Sequence, residues 1–421
     1  VLAQDVHPVR LLEEAQAVYC VTSQMGFEAL LWGKPVRTFG MPFYAGWGLT
    51  QDELPAPLRR QPVSLLQLVY AALIAYPRYV HPETGLSCEV ESLLSWMGLQ
   101  RQMRERFPAV VFALGFSRWK RPIVRDFLQG SQVRFIKDLS SVSEESTVVV
   151  WGRRKTEEVA NPLQVLRLED GFLRSVGLGA DLIRPISWIV DDCGIYFDGS
   201  QSSQLEQLLM TQAANEPLSR RARNLRERIA ATGLTKYNVG VGQWHRPAGA
   251  KRVILVPGQV ESDASLAWGA PGLRHNDELL QAVRQVNPDA WVVYKPHPDV
   301  VAGLRAQGKG MAELMVHCNE QVVDVPMAVL LDQVDEVHTL TSLAGFEALL
   351  RGKRVVCYGL PFYAGWGLTE DKLSFPTGRR GRKLHLDDLV AGALLLYPCY
   401  LSRQTGRFTT AERALTELLA W

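Results

Sequence analysis

TSQMGFEALLWGKPVRTFGMPFYAGWGLT, residues 22–50, returns as TSLAGFEALLRGKRVVCYGLPFYAGWGLT at residues 341–369, identical at 21 of 29 positions with a constant offset of 319. Unrelated segments of that length share roughly two residues, so the chain holds a duplicated unit. The echo continues: AALIAYPRYVHPETG (71–85) answers GALLLYPCYLSRQTG (392–406) once two further residues in the later loop are allowed for. By analogy with residues 107–340, most of what should precede Thr22 is missing from the first copy. The expectation is therefore the tail of one module over 1–98, followed by a whole module that carries the chemistry after about residue 105.

With 421 residues and 47% hydrophobic content, the chain is globular with two to three domains. A net charge of +2 gives no electrostatic case for a nucleic-acid partner. Arg379, Arg380, Arg382 and Lys383 form one local basic loop, which reads either as a face for phosphate or anionic lipid or as a solvated loop. The six cysteines (20, 88, 193, 318, 357, 399) have no CxxC spacing, so reduced thiols of a cytoplasmic protein are expected and a zinc site is not. LVAGALLLYPCYL (389–401) is broken by Pro398 and falls short of the ~20 apolar residues of a membrane span. No signal peptide opens the sequence, which leaves peripheral association as the expected form of any membrane contact.

From residue 107 onward, short apolar runs alternate with helical patterns, the signature of parallel sheets wrapped by helices. Strands are expected at 109–114, 147–151, 164–169, 252–257, 290–295, 336–340 and 354–359, and helices at 203–214, 227–233, 277–286 and 342–352. The Gly- and Pro-rich NVGVGQWHRPAGAK (238–251) reads as a hinge. Two α/β domains, 105–245 and 250–384, then face each other across a cleft, and 385–421 reads as helices packing back on them. Ligands of such sheets sit beyond the carboxyl ends of the strands.

Four strand ends carry polar clusters. Glu169-Asp170-Gly171-Phe172 is followed by Arg174, Ser175, Gly177 and Gly179. Neighbouring strand side chains point to opposite faces, so one acid of the pair, Asp170, is expected in the cleft. Pro257-Gly258-Gln259 precedes Glu261, Asp263 and Ser265, a set suited to sugar or ribose hydroxyls. Lys295-Pro296-His297-Pro298-Asp299 holds an imidazole between two prolines, as a phosphate partner needs. Thr341-Ser342 opens a helix whose start either is merely capped or cradles a phosphate, with Glu347 one turn inside. The repeated loop Gly359–Gly367 is a packing corner or a binding element.

EDGFLRSVGLG, VPGQVESDAS, KPHPD and TSLAGFEALLRGK…YGLPFYAGWGLTED, in that order, resemble the capsule polysaccharide β-Kdo transferases of the KpsC/LipB type. The resemblance implies a GT-B fold of two Rossmann-like domains, over 107–421 as a module and 1–98 as the tail of another. It implies CMP-Kdo as donor, a Kdo-bearing lipid acceptor and work at the cytoplasmic face of the inner membrane. It places the catalytic acids at Glu169 and Asp170, and the donor site at Gln259, Glu261, Asp263, Lys295, His297, Thr341, Ser342 and Glu347. Arg174 falls to the sugar carboxylate. No cofactor or metal is expected, because charge growing on the departing phosphate meets protein donors. Retention would make Asp170 a nucleophile, while a base role toward the acceptor stays open. Another GT-B nucleotide-sugar transferase or epimerase, and a non-catalytic glycan-binding scaffold, are the competing readings.

Overall fold

A computed structural model describes residues 6–140, 142–143, 145–153, 164–177, 182–212, 215–303, 314–376 and 378–421. Gly179 and the last two residues of the helix expected at 203–214 lie outside them. The chain forms two compact units, Val1–Met97 and Gly98–Trp421.

In the larger unit, the first lobe is built on a seven-stranded sheet. Val110–Leu114 lies between Gln132–Ile136 and Thr147–Trp151, with Gln164–Asp170 next, all parallel. Ser187–Asp191 then runs antiparallel, and Pro398–Leu401 and Phe408–Thr409 complete the sheet. The expected C-terminal helices exist at Leu386–Val390, continued by a π-helix over Ala391–Leu396, and at Ala411–Leu419. Between them the chain crosses back into the first lobe as a strand. Pro398, which breaks the apolar run, is that strand's first residue, where a missing N–H is tolerated.

The second lobe is a six-stranded, wholly parallel sheet in the order Glu320–Gln321, Trp291–Lys295, Val253–Pro257, Glu336–Thr339, Arg354–Cys357, Glu370–Asp371. Its central strands are buried along their length, as the continuous apolar runs require. Each sheet has a point where strand order reverses: between Val110–Leu114 and Thr147–Trp151 in the first lobe, and between Val253–Pro257 and Glu336–Thr339 in the second. Crevices open at such points. This is the GT-B arrangement the sequence predicts.

One core runs through both lobes. Phe172 of the first stacks on Phe362 of the second at 4.6 Å between ring centroids, and Tyr397 donates its hydroxyl to Asp191 Oδ2 at 2.6 Å. Two arginines of the basic loop are spent inside the fold, while Lys383 is exposed. Arg379 donates to Glu206 and to the carbonyls of Gly199 and Gln201, and Arg380 to Glu206, Pro361 O and Ala364 O. Burial works against the Glu206 charge, yet the two guanidiniums hold its pKa below the usual value. The segment expected to hinge is tied down as well: Trp244 is buried and its indole donates to Glu320 at 3.1 Å.

The smaller unit repeats the later elements in order. Val18–Cys20, Val36–Thr38 and Gln51–Asp52 form a parallel sheet with Met25–Leu31 as its helix, and Tyr70–Ala75 is again a π-helix. The repeated loop forms a packing corner in both places, and in the larger unit its Pro361 and Phe362 also line the cleft between the lobes. Tyr44 and Tyr363 each donate to a serine carbonyl, Ser23 and Ser342, at 2.5 Å, and the amides of Gly46 and Gly365 reach Asp52 and Asp371 at 2.7 and 2.8 Å. Gly46, Gly48, Gly365 and Gly367 all have φ near +80°, which only glycine adopts without strain. That accounts for the recurrence of these glycines, of the tyrosine and of the aspartate.

Candidate active site

The lobes of the larger unit enclose a cleft of about 940 Å³, a volume suited to a nucleotide sugar. On the first-lobe wall both Glu169 and Asp170 line it, so the expectation that one acid faces away is corrected. The strand ends at Asp170, and Glu169 folds back over that end to accept the Asp170 amide at 3.0 Å. Burial and the neighbouring Asp170 charge push the Glu169 carboxyl up to about 7. Arg174 is buried and donates from Nε to Asp170 at 2.6 Å, from Nη1 to Ser175 and from Nη2 to the Ile183 carbonyl. It positions Asp170 and also lines the cleft. Gly171 is required here because a Cβ would lie 2.1 Å from Ser187 Oγ.

The second-lobe wall is built at its switch point. Gln259 exchanges two hydrogen bonds with Thr341, Nε2 to Oγ1 and amide to Oε1, both 2.9 Å, and so ties the two strand ends together. Gln259 also lines the cleft. Ser342 caps the helix Leu343–Leu350 by accepting from the Ala344 amide, and Asp263 caps Ala264–Gly269 by accepting from Ser265. Both border the cleft, as does Thr341. Glu261 does not: it accepts from the Asn276 amide at 3.0 Å and pairs with His275 at 2.9 Å, capping the next helix.

Lys295 is buried against the Val323 carbonyl at 2.9 Å, and burial lowers its pKa to about 8 against the opposing Asp324 charge. His297 Nδ1 accepts the Asp299 amide at 3.2 Å, which leaves the ring proton on Nε2. Glu347 accepts the Lys236 amide at 2.7 Å and is pushed up to about 7 by burial.

Sequence reading missed part of this wall. Lys236 and Tyr237 enter just before the supposed hinge, Asn238 as its first residue, and Tyr196, Lys120, Trp151 and Arg153 from the first lobe. Burial opposes the Lys236 charge, but Tyr237, Tyr196, Asp170 and Glu169 around it more than offset that and raise its pKa. The positive φ of Asn238 is the one local signal, since asparagine is a residue that tolerates it. Among the described residues, Asp191, Asp192 and Cys193 are grouped closely enough to hold a metal. They lie outside the cleft lining, and Asp191 already accepts from the amides of Cys193, Gly194 and Gln204 and from Tyr397. No described helix is long and apolar enough to cross a membrane.

Residues 1–79, 146–238 and 221–400 match the family model described as capsule polysaccharide biosynthesis protein. The capsule polysaccharide modification protein LipA of Neisseria meningitidis serogroup A is 41% identical over 99% of this chain, which spans 62% of that relative's length. The lipopolysaccharide-processing protein LpsZ of Rhizobium meliloti is 39% identical over 73% of this chain and 74% of its own. Two solved structures from Thermosulfurimonas dismutans align with TM-scores of 0.62 and 0.64. The KpsC β-Kdo 2,7 transferase is 39% identical, with 74% of this chain and 98% of that one covered. The KpsC β-Kdo 2,4 transferase is 31% identical, with 75% and 99% covered. With its two-lobed fold, its acid wall and its switch-point wall, the chain belongs to the capsule polysaccharide biosynthesis family that includes these Kdo transferases.

Proposed function

We propose that residues 98–421 form a retaining β-Kdo transferase, which moves Kdo from CMP-Kdo to a Kdo-bearing glycolipid in capsule linker synthesis. The observation that carries this reading is the shared cleft: Glu169 and Asp170 on one wall, and Lys295, His297, Thr341 and Ser342 on the other. The two transferase structures above support the substrate class.

CMP lies on the second-lobe wall. Its phosphate takes the Leu343 amide at the start of Leu343–Leu350 and the protons of Lys295 and His297 Nε2, which stabilise the charge that grows as it departs. Asp170, fixed by Arg174, attacks the ketosidic carbon as the bond to the phosphate oxygen breaks. An acceptor hydroxyl oxygen then attacks the same carbon, the bond to Asp170 breaks, and the hydroxyl proton passes to Glu169. A carboxyl near 7 is matched to that exchange. Two displacements retain configuration. The work is placed at the cytoplasmic face of the inner membrane, where a peripherally bound enzyme meets a lipid acceptor.

The test is turnover: CMP release and product formation from CMP-Kdo with a Kdo-terminated acceptor, UDP-sugars in parallel, and the anomeric configuration of the product by NMR. A β-linked product from CMP-Kdo alone supports the proposal. Turnover of a UDP-sugar instead supports another nucleotide-sugar enzyme, absence of turnover with every donor supports a scaffold, and an Asp170→Ala protein with unchanged product formation removes Asp170 from the chemistry.

A further inference from the structure

Glu347 is a buried carboxylate on the helix Leu343–Leu350, whose start meets the phosphate, and the chemistry above gives it no task. Its Oε1 accepts the Lys236 amide at 2.7 Å, in the segment that follows the helix Glu216–Ala231. One turn further on, Arg351 donates from Nη2 to the Leu234 carbonyl at 3.2 Å. Residues four apart share a helix face, so the phosphate helix grips residues 234–236 at two neighbouring points.

The same segment is tied to the first lobe. The Ser175 amide donates to the Lys236 carbonyl at 3.4 Å and the Gly177 amide to the Tyr237 carbonyl at 2.8 Å. Asn238 donates from Nδ2 to the Ser175 carbonyl at 3.1 Å, and its Oδ1 accepts the Thr235 amide at 2.7 Å. Ser175 Oγ in turn accepts Arg174 Nη1 at 2.7 Å, and Arg174 Nε holds Asp170 at 2.6 Å. An unbroken run of hydrogen bonds therefore joins the phosphate helix to Asp170 through residues 234–238. Contiguous networks of this kind carry displacement from one site to another. The segment also brings the Lys236 ammonium into the cleft, where Asp170 and Glu169 attract it. A misplacement of about 1 Å between reacting groups can cost roughly 100-fold in rate.

We infer that Glu347 is a positioning residue and not a donor contact. Residues 234–238 form a strap, held by Glu347 and Arg351 on the phosphate side and by Ser175, Gly177 and Asn238 on the acid side, that sets Asp170 and Lys236 against the phosphate. This rests on the transferase reading for the roles of the phosphate and of Asp170.

The test is residue-resolved hydrogen–deuterium exchange on the full chain without ligand. Glu347→Leu removes the acceptor, and the amides of Lys236, Ser175 and Gly177 are expected to exchange roughly 10–100-fold faster, the worth of a buried donor deprived of its partner. Glu347→Gln keeps an acceptor in place and is expected to restore most of the protection. Asn238→Gly tolerates the positive φ, unties the strap from the other end, and is expected to expose the Lys236 amide as well. Unchanged exchange at Ser175 and Gly177 in Glu347→Leu, or at Lys236 in Asn238→Gly, overturns the inference. In the transfer assay Glu347→Leu is expected to lower kcat roughly 10–100-fold while calorimetric CMP affinity is kept, with Glu347→Gln recovering most of the rate. Lost CMP affinity with kcat intact makes Glu347 a donor contact and overturns the inference too. The exchange measurement needs no turnover, so failure of the CMP-Kdo reading appears separately, as absence of transfer.

Discussion

Replacing Glu169 by Gln tests whether the cleft stores a destabilised carboxylate. Burial and Asp170 raise its pKa from the ordinary 4.5 to about 7. The sign follows from linkage: the folded state holds this proton more tightly than the unfolded state, so stability falls as pH rises from 4.5 to 7 and stays low above. At about 1.4 kcal/mol for each pH unit, the charged form costs about 3 kcal/mol, of which most develops between pH 5 and pH 8. Glu169→Gln removes that cost. Its gain in melting temperature over the unaltered protein is therefore expected to be larger at pH 8 than at pH 5, by roughly 3–6 °C. Glu347 titrates in the same direction in both proteins and cancels in the comparison. The same substitution should lower kcat by roughly 10²–10⁴-fold and remove an ascending limb near pH 7 from the rate profile. A melting gain equal at the two pH values, or a protein stabilised by Glu169 at pH 8, refutes the reasoning.

Two further outcomes test the frame around the cleft. Glu206→Ala leaves Arg380, 3% exposed, without its carboxylate, and is expected to cost about 3–5 kcal/mol in denaturant unfolding; a loss below about 1 kcal/mol would show that the clamp is dispensable. Gly345→Ala puts a Cβ 2.3 Å from the Tyr363 hydroxyl that holds the Ser342 carbonyl. The overpacking is expected to cost about 1–3 kcal/mol and, by shifting Ser342, to weaken CMP binding measured by calorimetry; unchanged affinity would separate that helix start from the phosphate.

The four inner strands of the second-lobe sheet were legible because parallel strands buried on both faces read as apolar runs, as in VILVP at 253–257, whereas its edge strands Glu320–Gln321 and Glu370–Asp371 were not. The strands that were not legible owe their state to distant partners. Pro398–Leu401 is a strand because Ser187–Asp191 lies beside it, and Gln132–Ile136 is an edge strand of five residues, too short for its alternation to stand out. The site shows the same division. Asp170, Lys295 and His297 sit at strand ends that sequence can locate, and they do line the cleft. Lys120, Arg153 and Lys236 carry no motif, and only the folding of two lobes onto one cavity brings them together. Glu261 shows the converse error, since an acid near a helix start is often spent on that helix's own amides.

The central claim is that Asp170 bonds to the transferred sugar. Intact-protein mass spectrometry after mixing with CMP-Kdo in the absence of acceptor measures this directly. The account predicts a protein heavier by one Kdo residue, with the adduct mapped by peptide fragmentation to Asp170 and one equivalent of CMP released in a burst. An unmodified protein that still transfers Kdo with retention, or an adduct on another residue that persists in Asp170→Asn, would contradict it.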